Sequence, residues 1–274
     1  MFKNYLKIAV RNLLKFKAYS IINITGLAVG IAACLSILLY VQDELSYDRF
    51  HEKADRIYRV VATESEEGSI THVAQTYAPL APILRAENPE IERIVRFFPH
   101  SVVVKYGEDE KFQEGKFLFC DSTVFEVFSF RLLHGDPRTA LRAPNSVVLT
   151  RETAQRYFGD ENPLGKILRI ENQLDLTVTG VLENIPHNAH FSFDFLATMK
   201  SVDTVLGPWV MTRGWHWPPM YTYVLLPDAR TAATIEERFP EMVQTKLPES
   251  VRDWMSLQLQ PLTDIHLHSN LQNE

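Results

Sequence analysis

Residues 18–41 read AYSIINITGLAVGIAACLSILLYV and contain no charged side chain. A helix rises 1.5 Å per residue, so this run spans roughly 36 Å, enough to cross a ~30 Å hydrocarbon core with some tilt. Inside lipid every backbone amide must find its partner within its own segment, so the run is expected to be a transmembrane helix. Nothing else in the chain restricts the fold so strongly: one end belongs to a bilayer, and the rest must fold beside it.

The flanks set an orientation. Lys3, Lys7, Arg11, Lys15 and Lys17 precede the run, and Asp43, Glu44 and Asp48 follow it. Five cations place the N-terminus in the cytoplasm by the positive-inside rule, and everything from about Asp43 onward outside it. Three other readings compete. A cleaved signal peptide has a shorter apolar core, and Gln42-Asp43-Glu44 is no small-residue cleavage site. Ile31-Ala32-Ala33-Cys34 imitates a lipobox, but Leu35 to Val41 stay apolar where a lipoprotein would begin a polar tether. A buried core helix of this length would need a polar face.

The net charge is −6, and the first 42 residues carry +5, which leaves −11 on the rest. An acidic outer part argues against nucleic acid as a partner, while the basic end suits membrane lipid with anionic headgroups. Cys34 lies in the membrane run and Cys120 in the outer part, so they are not expected to pair. The outer part must then rely on its apolar core, which 46% hydrophobic and 11% aromatic residues can supply.

Residues 1–17 form an expected cytoplasmic amphipathic segment, with Phe2, Tyr5, Leu6, Ala9, Leu13 and Phe16 at helical spacing. Within the membrane run, Gly26 and Gly30 make a G-x-x-x-G, and Ala33 extends this small face, the pattern that lets a partner helix approach. Tyr47, Phe50, Arg49 and His51 are expected at the headgroup zone. A turn is expected at Glu66-Glu67-Gly68-Ser69. Strands are expected at residues 56–62, 70–75, 91–98, 102–106, 111–120, 146–149, 166–170, 174–182, 221–226 and 256–260, with Gly180 at a bulge. Helices are expected at 78–87, 121–130, 151–158 and 231–246. Residues 186–217 read as irregular.

Two β-α-β units far apart in sequence predict an α+β fold. The N-terminal helix is followed by an extracytoplasmic domain (42–274) with a split, ferredoxin- or porter-like lobe and an inserted mixed α/β lobe. The first lobe is expected at about 55–116 and 217–262, the insertion at about 117–216.

Several motifs together resemble a known family: the run Asp43-Glu-Leu-Ser-Tyr-Asp-Arg-Phe-His51, then Ile57-Tyr58-Arg59-Val60, Ser146-Val-Val-Leu-Thr150, Tyr157-Phe158-Gly159, Asn162-Pro-Leu-Gly-Lys166, Val178-Thr-Gly-Val181 and Pro186-His-Asn-Ala-His-Phe191. They resemble the FtsX-like/MacB-like permease subunits of ABC transporters, with their MacB-like periplasmic core domain. The resemblance covers essentially the whole chain, and none of its motifs is catalytic. It implies a permease in the cell (inner) membrane with four transmembrane helices, three of them after the outer domain. It further implies ATP bound by a separate ABC ATPase subunit, a second permease copy forming a dimer, and a periplasmic adaptor or membrane fusion protein as a further partner. Here the sequence stops at Glu274, after Leu262-Thr-Asp-Ile-His-Leu267 resembling the end of the outer domain, so an N-terminal fragment or a truncated product is expected.

No G-x-x-x-x-G-K-[ST], G-x-S-x-G or C-x-x-C occurs, so no cofactor and no catalytic residue is expected in this chain. His187-x-x-His190 near Asp194 imitates a metal site, but Pro186 and Asn188 make it a loop, and His266-x-His268 lacks a third ligand, so no metal is expected. Trp209, Trp215, Trp217 and Tyr221 cluster among prolines, either as a surface for a partner protein or amphipathic ligand or as the packing of an irregular loop. The expected function is a non-enzymatic permease subunit, or its N-terminal part, coupling ATP hydrolysis to movement of the outer domain for export, lipoprotein release or mechanotransmission. The alternatives are a single-pass anchored binding or sensor domain without transport, and an anchored hydrolase using the His187/His190 region.

Overall fold

Two compact units divide the chain, Met1–Ser46 and Tyr47–Glu274. The computed structural model describes residues 2–66, 69–107 and 110–274. The first unit holds α1 (Phe2–Lys15) and α2 (Lys17–Glu44). Between them the backbone leaves helical geometry at Phe16 (φ −108°, ψ 56°), and the Ser20 hydroxyl spans the break by donating to the Leu13 carbonyl at 3.0 Å. α2 is long and apolar enough to cross a membrane, and its apolar window has no residue buried within the structure.

The second unit begins with β1 (Ile57–Glu66), β2 (Ser69–Val73) and β3 (Thr76–Tyr77), then α3 (Leu80–Glu87) and β4 (Arg93–Pro99). Residues 67 and 68 of the expected turn lie outside the described residues. Next come β5 (Val102–Tyr106), β6 (Glu110–Glu114), β7 (Phe117–Cys120), α4 (Val124–Val127), β8 (Leu132–His134), β9 (Ser146–Thr150) and α5 (Arg151–Phe158). They are followed by β10 (Ile167–Ile170), β11 (Leu174–Leu182), β12 (Phe195–Thr198), α6 (Val202–Leu206) and α7 (Val210–Arg213). β13 (Pro219–Leu225), α8 (Ala229–Lys246) and β14 (Met255–Pro261) complete the elements that the site needs.

The described strands form one mixed sheet in the order β14-β1-β13-β4-β7-β12-β9-β11-β10-β5-β6. Its first four strands are antiparallel neighbours. They make two interleaved β-α-β units, β1-α3-β4 and β13-α8-β14, which is the split arrangement expected from the sequence. Everything between β4 and β13 is inserted, and it extends the same sheet instead of starting another.

Alternation along β1 decides its faces. Tyr58, Val60 and Ala62 pack with Leu80 and Leu84 of α3 and with Ile235 and Phe239 of α8. Ile57 points the other way, into a second core with Phe97, Phe128, Leu196 and Tyr223. Each such large side chain contributes about 1.5–3 kcal/mol on burial. α8 starts at Asp228, whose carboxylate accepts the Thr231 N–H at 2.8 Å.

The inserted strands β7, β9 and β12 are buried on both faces. Phe195 and Ala197 of β12 enter a third core while Leu196 enters the second. Such strands read as short apolar runs without alternation. That is why residues 186–217 are predicted irregular although they contain β12, parallel to β7 and antiparallel to β9 at the centre of the sheet. The strand predicted at 111–120 is likewise two: β6 pairs with β5, whereas β7 pairs with β4 and β12. The bulge at Gly180 is present, where β11 slips one residue against β9 between Val178 and Gly180.

Candidate functional site: a buried polar chain beneath an aromatic crevice

On the sheet face away from α3 and α8, three strands place charged and aromatic groups side by side. Arg59 of β1 stands opposite Tyr223 of β13, and Tyr221 stands opposite Phe97 of β4. These residues, with Phe191 and Lys116, line a crevice of about 560 Å³. Volumes of about 300–1,000 Å³ are usual for ligand sites.

The crevice floor is polar and paired. Arg59 is 1% exposed. Its Nε and Nη2 donate to Gln260 Oε1 at 3.0 and 2.6 Å, and Nη2 also donates to Ser269 Oγ at 3.3 Å and to the Glu274 carboxylate. A guanidinium this deep requires such partners, since an unpaired buried charge costs several kcal/mol.

From the same floor a chain of polar groups runs to the start of the domain. The Tyr223 hydroxyl lies 2.7 Å from His190 Nε2. His190 Nδ1 lies 2.8 Å from Asp48 Oδ1, a close contact off the N–H axis, and the His190 backbone N–H donates to the same oxygen at 3.2 Å. A carboxylate at Nδ1 favours the proton on that nitrogen, so Nε2 accepts from Tyr223. The Asp48 N–H donates to the Asn188 carbonyl at 2.8 Å, and Asp48 itself sits at φ 58°. Aspartate tolerates this left-handed region better than most side chains. Asp48 Oδ2 and His51 Nε2 are buried without a hydrogen-bond partner.

Burial sets the protonation of these groups. It holds the His190 imidazole below its ordinary pKa, with Asp48 opposing. It pushes His51 down to about 4, again against Asp48. It raises the Tyr223 phenol well above its usual value. Both histidines are therefore neutral at pH 7.

The expected headgroup placement of His51 is corrected by the fold. His51 is 3% exposed, accepts the Ser129 N–H on Nδ1 at 3.1 Å, and packs edge-on to Phe128 and Phe130. Tyr47 stacks on His266.

The tryptophan cluster divides. Trp215 is buried with Leu80 and Phe239 in the core beneath α3 and α8. Tyr221 lines the crevice and donates its hydroxyl to the Asn273 carbonyl at 2.8 Å. Trp209 and Trp217 are 45% and 48% exposed and stack on each other with centroids 6.0 Å apart. Gly26, Gly30 and Ala33 lie on α2 in the other unit, and a Cβ built on either glycine meets nothing within 4 Å. His187 is exposed and His190 is committed to Asp48 and Tyr223. Among the described residues no three His, Cys, Asp or Glu side chains are grouped to hold a metal ion.

No sequence motif marks Asp48, His51, Arg59 or Tyr223 as a site residue. One signal was available for Arg59: it is the lone charge inside the apolar strand Ile57-Tyr58-Arg59-Val60-Val61-Ala62.

Residues 20–242 match the model of the MacB-like periplasmic core domain. Among solved structures, the chain is similar to a domain of a protein classed as a permease from Porphyromonas gingivalis, with 21% identity and a TM-score of 0.66 over 77% of this chain and 91% of that one. It is similar to the extracellular domain of the noncanonic ABC-type transporter YknZ from Gram-positive bacteria, at 15% identity and a TM-score of 0.53, over 74% of this chain and 99% of that one. The periplasmic region of MacB from Actinobacillus actinomycetemcomitans matches at 14% identity and a TM-score of 0.52, over 77% of this chain and 91% of that one. No curated protein sequence matches.

Proposed function

Because this chain belongs to the MacB-like periplasmic core domain family, we propose that it works as the membrane-anchored outer domain of an ABC-type permease. A separate ATPase subunit binds and hydrolyses ATP in the cytoplasm, and the resulting motion of membrane helices reaches the outer domain through residues 47 and 48. A second permease copy and a periplasmic adaptor complete the assembly. The cations before α2 keep the N-terminus cytoplasmic. The chain itself performs no chemistry.

The observation that carries this reading is the burial of Asp48. It is the second residue of the domain, and it is tied through His190 to Tyr223 in the middle of the sheet. A displacement of residue 48 therefore moves β13, and with it β1 and β4, because close-packed cores transmit strain instead of absorbing it. A flexible tether would dissipate the same pull.

The test is affinity purification of the full chain from its native membrane, followed by ATPase assay. An ABC ATPase should co-purify, and His190→Ala should lower the effect of the outer domain on ATP turnover while the complex stays assembled. Recovery of the chain with no ATPase would refute the reading and favour the anchored binding domain, which the aromatic crevice would then serve.

A further inference from the structure

Residues 48–53, the turn that leads into β1, are tied to the insertion at two places. Asp48 meets Asn188 and His190. Three residues further on, the turn meets the segment that follows α4. The Lys53 ammonium donates to the Glu126 carbonyl at 2.6 Å, and the Glu52 N–H donates to Ser129 Oγ at 2.9 Å. Both of these bonds are exposed, so water can replace them at little cost. The third bond is different. The Ser129 N–H donates to Nδ1 of His51, and the ring of His51 is buried.

That bond fixes what the ring can be. Nδ1 accepts a backbone N–H, so it cannot take a proton without losing the bond, and the neutral ring carries its proton on Nε2. Nε2 is itself buried without a hydrogen-bond partner. Phe50, Phe128 and Phe130 surround the ring, with centroids 4.0, 5.0 and 5.3 Å away. Two titratable groups face it: Asp48 of the same turn, which favours a charged ring, and His190 of the loop before β12, which opposes one. Glu52 is exposed, and the Glu126 carboxylate of α4 pairs with Arg93. Burial outweighs the pull of Asp48 and holds the imidazole down to about 4.

We propose that His51 is an acid-released pin, which fastens the turn before β1 to residues 126–129 while neutral and lets go when it is protonated. A proton from solvent enters at Nδ1, the Ser129 N–H loses its acceptor, and the charged ring leaves the three phenylalanines for water. Residues 51–53 then part from the insertion, while β1 stays paired with β13 and β14 in the sheet. An exposed imidazole takes its proton near pH 6.5. Opening therefore becomes about tenfold easier for each pH unit between that value and about 4. The pin itself does not depend on the ATPase reading. Its consequence rests on that reading: external acid loosens the link through which a pull on residue 48 reaches the insertion.

The test is hydrogen exchange of the full chain in detergent micelles, with amide protection corrected for the intrinsic rate at each pH. Protection of the Ser129 amide should fall about tenfold from pH 6 to pH 5 and should stay well below that of the β12 amides throughout, because the opening is local. His51→Gln keeps an acceptor for the Ser129 N–H but does not titrate in this range, so its Ser129 protection should not change with pH. Constant protection in the unsubstituted chain would overturn the proposal. So would the same fall in His51→Gln, which would assign it to another group, or Ser129 protection equal to that of β12, which would mean that the segment opens only with the whole domain. Should His51→Gln not fold, exchange of the His51 ring C2–H in the unsubstituted chain decides the matter: a midpoint below pH 5 supports the pin, and one near 6.5 refutes it.

Discussion

The rings of Tyr47 and His266 lie face to face, with centroids 3.4 Å apart and planes within 2° of parallel. One residue opens the outer domain and the other follows its last strand, β14. On the same sheet face Asp48 contacts His190, and Glu274 contacts Arg59. Tyr47, His266 and Glu274 thus line one crevice, and the polar chain beneath it is where substitutions should be most informative.

Asp48 carries two burdens, a carboxylate against His190 and a left-handed backbone. Asp48→Ala should cost about 3 kcal/mol, since it strips the buried pair of one partner and puts a residue ill-suited to positive φ there. Asp48→Asn keeps the tolerated backbone and an acceptor for the His190 N–H, so it should cost about 1 kcal/mol. Denaturant unfolding of the detergent-solubilised chain measures both, and equal losses would mean that the retained acceptor and backbone tolerance of asparagine contribute nothing.

Acid should destabilise the domain through its buried histidines. The unfolded imidazole takes its proton near pH 6.5, whereas folded His51 does so only at about 4. Between these values the unfolded state binds more protons, so stability rises with pH there. The contribution is complete above about 6.5 and falls as pH drops towards 4, by about 1.4 kcal/mol per pH unit for one histidine. His190, also lowered, acts in the same direction. A melting temperature unchanged between pH 7 and pH 4.5 would contradict this, and His51→Gln should flatten the slope.

Two glycines mark close backbone approaches. A Cβ on Gly135 would lie 2.5 Å from the Thr179 carbonyl oxygen, and Gly135 has φ +95°. On Gly180 it would lie 2.8 Å from a Leu132 methyl, which can shift. Gly135→Ala should therefore cost about 3 kcal/mol and Gly180→Ala about 1 kcal/mol. Thermal melts of the two variants should differ by several degrees in that order.

Gly26→Leu and Gly30→Leu have open space around them within this chain. Neither should change the stability of the outer domain. We predict that either one weakens assembly with partner helices, read as a lower yield of the ATPase-bound complex. An unchanged yield from both variants would refute a packing role for this face.

How far the sequence could be read differs between α2 and Arg59. α2 follows from composition alone, because 24 uncharged residues admit few structures in lipid. β1, α3, α8 and β14 follow from periodicity, and their spacing already implies the split β-α-β lobe. β12 escaped because a strand buried on both faces has no alternation to detect. Arg59 was visible as a charge in an apolar strand, but nothing local pointed to Gln260 or Glu274 as its partners.

The sequence by itself therefore determined the apolar helix, the acidic and disulfide-free outer part, and the order of the lobe's strands. These depend on side-chain character and short-range period. Only the tertiary structure decided that Asp48, His190, Tyr223 and Arg59 form one chain, that His51 is buried and neutral, and that Glu274 reaches Arg59. Those facts rest on contacts between residues far apart in sequence, and a residue's burial and charge state depend on what the fold brings beside it.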